Sequence, residues 1–140
     1  MIEALVEEHR EESDMLAIQY IRANKHLINF RESSTRATPL HVASEDGRVL
    51  IVKELLAQGA NVNILNASDK TALLKASMFG RLEMCKVLVE AGADLNLKND
   101  ENETALDRAI SRKRQDCAEY LLSKGAVVSK EKYPDAWAQP

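Results

Sequence analysis

The residues of this 140-residue chain that could do chemistry are few and scattered. Histidine occurs at positions 9, 26 and 41. Catalysis needs a nucleophile with a base in hydrogen-bonding reach, and no such pairing is visible. Ser33-Ser34-Thr35 lacks the Gly-x-Ser-x-Gly surround of a nucleophile elbow. Cys85 and Cys117 stand in apolar stretches with no CxxC spacing and no neighbouring histidine, so they read as buried reduced thiols rather than as a disulfide or zinc ligands. Asp100, Glu101 and Glu103 form an acidic cluster, but the alternation and central glycine of a calcium loop are missing, and a solvated tip is expected. The glycines form neither a GxGxxG nor a Walker pattern. No catalytic residue, cofactor or metal is expected.

The elements that must hold these residues repeat. Thr38-Pro39-Leu40-His41-Val42-Ala43 returns as Thr71-Ala72-Leu73-Leu74-Lys75-Ala76 and as Thr104-Ala105-Leu106-Asp107-Arg108-Ala109, at a spacing of 33 residues. Gly47-Arg48 answers Gly80-Arg81 in the same register, and Gly59-Ala60-Asn61-Val62-Asn63 answers Gly92-Ala93-Asp94-Leu95-Asn96. A period of that length marks a stack of supersecondary units. Each unit reads as two short helices and an extended tip. Thr38, Thr71 and Thr104 cap the first helix, and Gly47 or Gly80 ends it. Val49, Val52, Leu55 and Leu56, answered by Leu82, Cys85, Leu88 and Val89, give the second helix an apolar stripe that Gly59 or Gly92 closes.

The motifs T-P-L-H-x-A, G-R and G-A-N-V-N at residues 38 to 63 resemble the ankyrin-repeat family. The resemblance implies an all-α solenoid of stacked helix-turn-helix units with short hairpin-like tips. It makes residues 1–128 one domain, with repeats at 38–70, 71–103 and 104–128 and a degenerate N-terminal cap repeat at 1–37; residues 129–140, with Tyr133, Pro134 and Trp137, form a tail outside the pattern. In the degenerate N-terminal unit Ser13 is expected to cap a helix carrying Met15, Ile18 and Ile21, after a separate cap helix bearing Ile2, Leu5, Val6 and His9. In the third unit Lys113 replaces the inter-helix glycine, as suits a terminal cap. The family also implies Asn63 and Asn96 as candidate substrates of an asparaginyl hydroxylase, each with a leucine eight residues earlier; on the residues alone, each side chain bonds the backbone of its own turn.

Such proteins bind other proteins through a concave face built from the tips and the exposed ends of the first helices. Carried over by position, that face takes Ser34, Thr35, Ala37, Ala67, Ser68, Lys70, Asp100, Glu101 and Glu103 from the tips. The helix ends add Glu45 with Asp46, Met78 with Phe79, and Ser111 with Arg112 and Lys113. Either Met78 or Phe79 turns inward, as helix ends allow and aromatics prefer, or both are exposed and the centre is apolar between an acidic and a basic flank, the anatomy of a hot spot with a charged rim. A protein partner is therefore expected, met by a monomer acting as a non-catalytic interaction module. The alternatives are a stoichiometric inhibitor of an enzyme such as a kinase, and the regulatory part of a larger enzyme or channel. A formal charge of −3 argues against general nucleic-acid binding, although residues 104–140 carry seven Lys or Arg against five Asp or Glu. With no apolar run near the roughly 20 residues a bilayer requires and no secretory leader pattern, a cytoplasmic or nuclear setting and no membrane partner are expected.

Overall fold

A computed structural model describes the backbone of residues 2–128 and the side chains of residues 10–128. Among them are seven α-helices, one 3-10 turn and no strand: α1 Ile2–Ala23, the 3-10 turn Lys25–Leu27, α2 Pro39–Asp46, α3 Val49–Ala57, α4 Ala72–Met78, α5 Leu82–Glu90, α6 Ala105–Ser111 and α7 Gln115–Ser123. The helices α2 to α7 form three antiparallel pairs whose first members stack on one another, as do their second members.

The repeated threonine starts each first helix for a local reason. Its hydroxyl accepts the amide of the residue three along: His41 on Thr38, Leu74 on Thr71 and Asp107 on Thr104. In two units the bond is returned, because His41 Nδ1 accepts from the Thr38 amide at 3.0 Å and Asp107 Oδ2 from the Thr104 amide at 3.1 Å. Leu74 has no acceptor to offer. At the other end, Gly47 and Gly80 take left-handed φ values of 74° and 68°, and Lys113 is forced to φ 58° at the same place.

Helices of seven to nine residues are marginal alone, so stability comes from stacking. Leu40, Leu73 and Leu106 are buried in one row, and the small Ala43, Ala76 and Ala109 bring neighbouring first helices close. Val52, Leu55, Cys85, Leu88, Ala118 and Leu121 continue the core along the second helices. Each fully buried leucine contributes about 1.5 to 3 kcal/mol of transfer free energy.

Polar ladders set the register between units. Arg81 Nε donates to Glu45 O at 2.8 Å and Arg114 Nε to Met78 O at 3.1 Å, so each arginine at the start of a second helix ties down the last turn of the preceding unit's first helix. In the tips, Asn66 Oδ1 accepts the Ser68 and Lys70 amides and Asn99 Oδ1 those of Glu101 and Glu103. Asn63 differs from expectation. Its Oδ1 accepts the Asp94 amide of the next unit at 2.8 Å, as Asn29 accepts that of Asn61 at 2.9 Å, so these asparagines join units rather than only closing turns.

The N-terminal unit also departs from the expected pattern. No glycine stands where Gly47 and Gly80 turn the chain, and α1 runs through Ser13 without a break. Ser13 therefore caps nothing; with Asp14 it meets Arg48, whose Nε lies 2.8 Å from Asp14 Oδ1. Lacking a first helix beside them, Met15 and Leu16 stay exposed and Ile18 is only half-buried, whereas Cys85 and Ala118 are fully buried in the same row. The side chains of Ile2, Leu5, Val6 and His9, and the tail with Tyr133 and Trp137, lie outside the described residues.

Candidate partner-binding surface

The first helices α2, α4 and α6 end side by side because each begins at a threonine cap and runs seven or eight residues to a left-handed stop. That register puts Glu45, Met78 and Ser111 in one row and Asp46, Phe79 and Arg112 in the next. Phe79, Asp46, Ser111, Arg112 and Lys113 are exposed, Phe79 by 43%. Met78 and Glu45 are half-buried.

Direct contacts join the rows. Lys75 Nζ sits 2.7 Å from Glu45 Oε2, so the acidic flank is partly neutralised and Asp46 is its solvent-facing charge. Arg81 binds the Glu45 carbonyl and also places its guanidinium carbon 6.0 Å from the centre of the Phe79 ring, a cation–π contact that orients the ring without covering it. Arg108 Nη2 approaches Met78 Sδ at 3.7 Å, and Arg114 holds the Met78 carbonyl. The Ser111 hydroxyl turns back to the Arg108 carbonyl at 3.1 Å.

The tips contribute unevenly. Ser34, Thr35, Ala67, Ser68, Asp100 and Glu101 are exposed, while Ala37 and Lys70 are half-buried. Glu103 is not a surface residue: only 3% of it is exposed, and its carboxylate faces Arg108 Nη1 at 3.4 Å. The reason is its place immediately before the cap of α6. Its amide is locked to Asn99 Oδ1, and from there the side chain runs inward along the helix to the nearest cation. The acidic tip is thus only partly solvated, with Asp100 and Glu101 outside and Glu103 inside. Lys70 presents its carbonyl to His41 Nε2 at 2.9 Å.

Charge in the tips follows hydrogen bonding. The Glu32 carboxylate accepts the amides and hydroxyls of Thr35 and Ser34, bonds that favour its ionised form and pull its pKa down to about 2. Burial lowers the pKa of His41, and both ring nitrogens face bonding partners: Nδ1 accepts from the Thr38 amide, so Nε2 carries the proton and donates to the Lys70 carbonyl. That imidazole is occupied in joining two units. No group of three His, Cys, Asp or Glu side chains able to hold a metal occurs among the described residues, and no helix there is long and apolar enough to cross a membrane.

Sequence reasoning missed the row Val42, Lys75 and Arg108, one turn before the helix ends. Val42 is exposed, and the two cations supply the ion pairs to Glu45 and Glu103. The signal was available: this is the position that varies between the repeated leucine and alanine, as a residue facing solvent or a partner does.

Comparison with known proteins agrees with this architecture. The family described as "Ankyrin repeats (3 copies)" matches residues 10–99 and again 40–132. Palmitoyltransferase AKR1 of Kluyveromyces lactis is 43% identical over 51 residues, which are 36% of this chain and 7% of that protein. The chain thus matches only a small part of the length of that curated relative. Repeats of this kind are protein-interaction units rather than catalytic ones, and three matched copies over most of its length place the chain in the ankyrin-repeat family.

Proposed function

We propose that this chain is a monomeric, non-catalytic binding domain, spanning residues 1–128, that holds a partner protein on the concave side formed by its first helices and tips. The observation that carries the reading is Phe79, an aromatic ring left 43% exposed between Asp46 and Arg112 in the same register. An exposed ring at the centre of a charged row has a large apolar area to lose to a partner, and aromatic side chains supply binding hot spots for that reason. Met78 extends the apolar centre, Asp46 with Glu45 forms one flank, and Arg112 with Lys113 and Ser111 forms the other. Lys70 and Glu101 contribute at the tips.

The test is the double substitution of Met78 and Phe79 by Ala, measured for thermal stability and for affinity toward a partner captured with the unaltered protein. Affinity lost by about tenfold or more with the melting temperature kept supports the reading, since one hot-spot truncation costs about 2 kcal/mol or more. A folded double variant that binds as before refutes it. A second reading, a regulatory domain within a larger enzyme, is favoured by the match to a small part of a transferase. The size of the native protein in cell extract separates the two.

A further inference from the structure

We propose that the outer face of α1 is a second docking surface, one that takes a basic amphipathic helix of a partner protein. The N-terminal unit has no first helix, and the consequence falls on the residues that such a helix covers elsewhere. Val49 and Leu82 open α3 and α5 and lie half-buried against the core, whereas Met15, at the same position of α1, is 61% exposed. Leu16 beside it is 68% exposed. With Glu11 and Glu12 one turn earlier, these two side chains line an open cleft of about 590 Å³.

The apolar area extends onto α3. Two ion pairs align the helices: Arg48 Nε lies 2.8 Å from Asp14 Oδ1 just before α3, and Arg22 Nε lies 2.6 Å from Glu54 Oε1 further along. Both helices therefore run in the same direction, and the stretch between the two pairs sets Leu16 alongside Leu50, another exposed leucine. Tyr20, also exposed, follows Leu16 by one turn of α1. The next two units place the exposed acids Glu83 and Asp116 where Leu50 stands, so the patch belongs to the N-terminal end alone. Contiguous exposed apolar area bordered by charge marks an interaction site.

Shape and charge together select the occupant. A place left by a missing helix fits another helix, whose apolar stripe meets Met15, Leu16 and Leu50. The rim is acidic: α1 carries six Asp or Glu against two arginines, and one of those, Arg22, is already engaged by Glu54. Lysine or arginine flanking the stripe of the incoming helix therefore finds opposite charge. A second copy of this chain would set the same acidic excess against itself, and an anionic lipid surface would be repelled for the same reason. The patch lies on the row of second helices, so it is separate from the first-helix ends around Phe79.

The test titrates the whole chain into a fluorescent peptide of leucine and lysine, about 15 residues long so that it can form a helix, with its leucines on one face. Binding should be seen by anisotropy at about 0.15 M salt and weaken as salt is added. A scrambled peptide without the stripe, and a leucine–glutamate counterpart, should each bind about tenfold more weakly or worse. The double variant Met15→Glu, Leu16→Glu should also lose about tenfold or more with its melting temperature kept, although it is more acidic. Equal binding by that variant means charge attraction alone and overturns the proposal, as does no binding by the wild type. Loss of binding on replacing Met78 and Phe79 by Ala would move the peptide to the concave side and overturn it too. Sedimentation of the chain alone should give a monomer, and phosphatidylcholine vesicles should not retain it; a dimer or a vesicle complex that the Met15, Leu16 variant abolishes would assign the patch to another occupant and refute the helix.

Discussion

Replacing Gly80 by Ala probes two effects that coincide in the turn between α4 and α5. Gly80 holds φ 68°, a left-handed conformation that costs a residue with a Cβ about 1 kcal/mol or more. An added Cβ would also lie 2.7 Å from Arg114 Cδ, the middle of a side chain whose Nε donates to the Met78 carbonyl at 3.1 Å. Arg114 must move, and a hydrogen bond from a charged donor, worth about 1.5 to 3 kcal/mol, is weakened or lost. Discounting for the solvent exposure of Arg114, the two effects together come to about 2 to 3 kcal/mol. Gly59 is the control. Its φ of 94° is as restrictive, but an added Cβ meets nothing within 4 Å, so Gly59→Ala should show the backbone cost alone, about 1 kcal/mol. The reverse substitution is available in the third unit, where Lys113→Gly at φ 58° should stabilise by about 1 kcal/mol. Urea unfolding followed by circular dichroism gives all three values. Equal losses at Gly80 and Gly59 would refute the contribution of the arginine ladder, and a destabilised Lys113→Gly would refute the strain argument.

Leu73, 1% exposed between the first and third units, should lose about 2 to 5 kcal/mol on replacement by Ala, read from the urea midpoint with an unchanged slope. Glu32 ionises more easily in the folded chain than in the unfolded one, so the stability it adds is complete above its ordinary value of 4.5 and is lost as pH falls toward about 2. The melting-temperature difference between wild type and Glu32→Gln should therefore shrink across that window; a constant difference would contradict the linkage. Arg112→Ala should slow partner association at low ionic strength and lose its effect as salt is added, measured by surface plasmon resonance at several salt concentrations, because exposed rim charges steer encounter and are screened.

How far the sequence alone carries is seen best by comparing residues. Thr38, Thr71 and Thr104 with their following leucines and alanines announced the helix starts and the stacking row, since a cap and a helical period are local chemistry repeated in register. The glycines announced the turns. Lys113 was legible as a departure because its φ is dictated by position and not by residue type. Tertiary packing decided the rest. Glu103 looks like an exposed tip acid until the backbone turn aims it at Arg108, and no spacing rule encodes that direction. Asn63 looks like a turn residue until the next unit's Asp94 amide arrives to use its oxygen. Ser13 looks like a cap, yet nothing there stops a helix, and Arg48 from the following unit takes up Ser13 and Asp14. Local backbone preference is written within a few residues and can be read from them. Burial, ion pairing and the hydrogen bonds between units depend on what a neighbouring unit presents, and only the stacked structure brings those partners together.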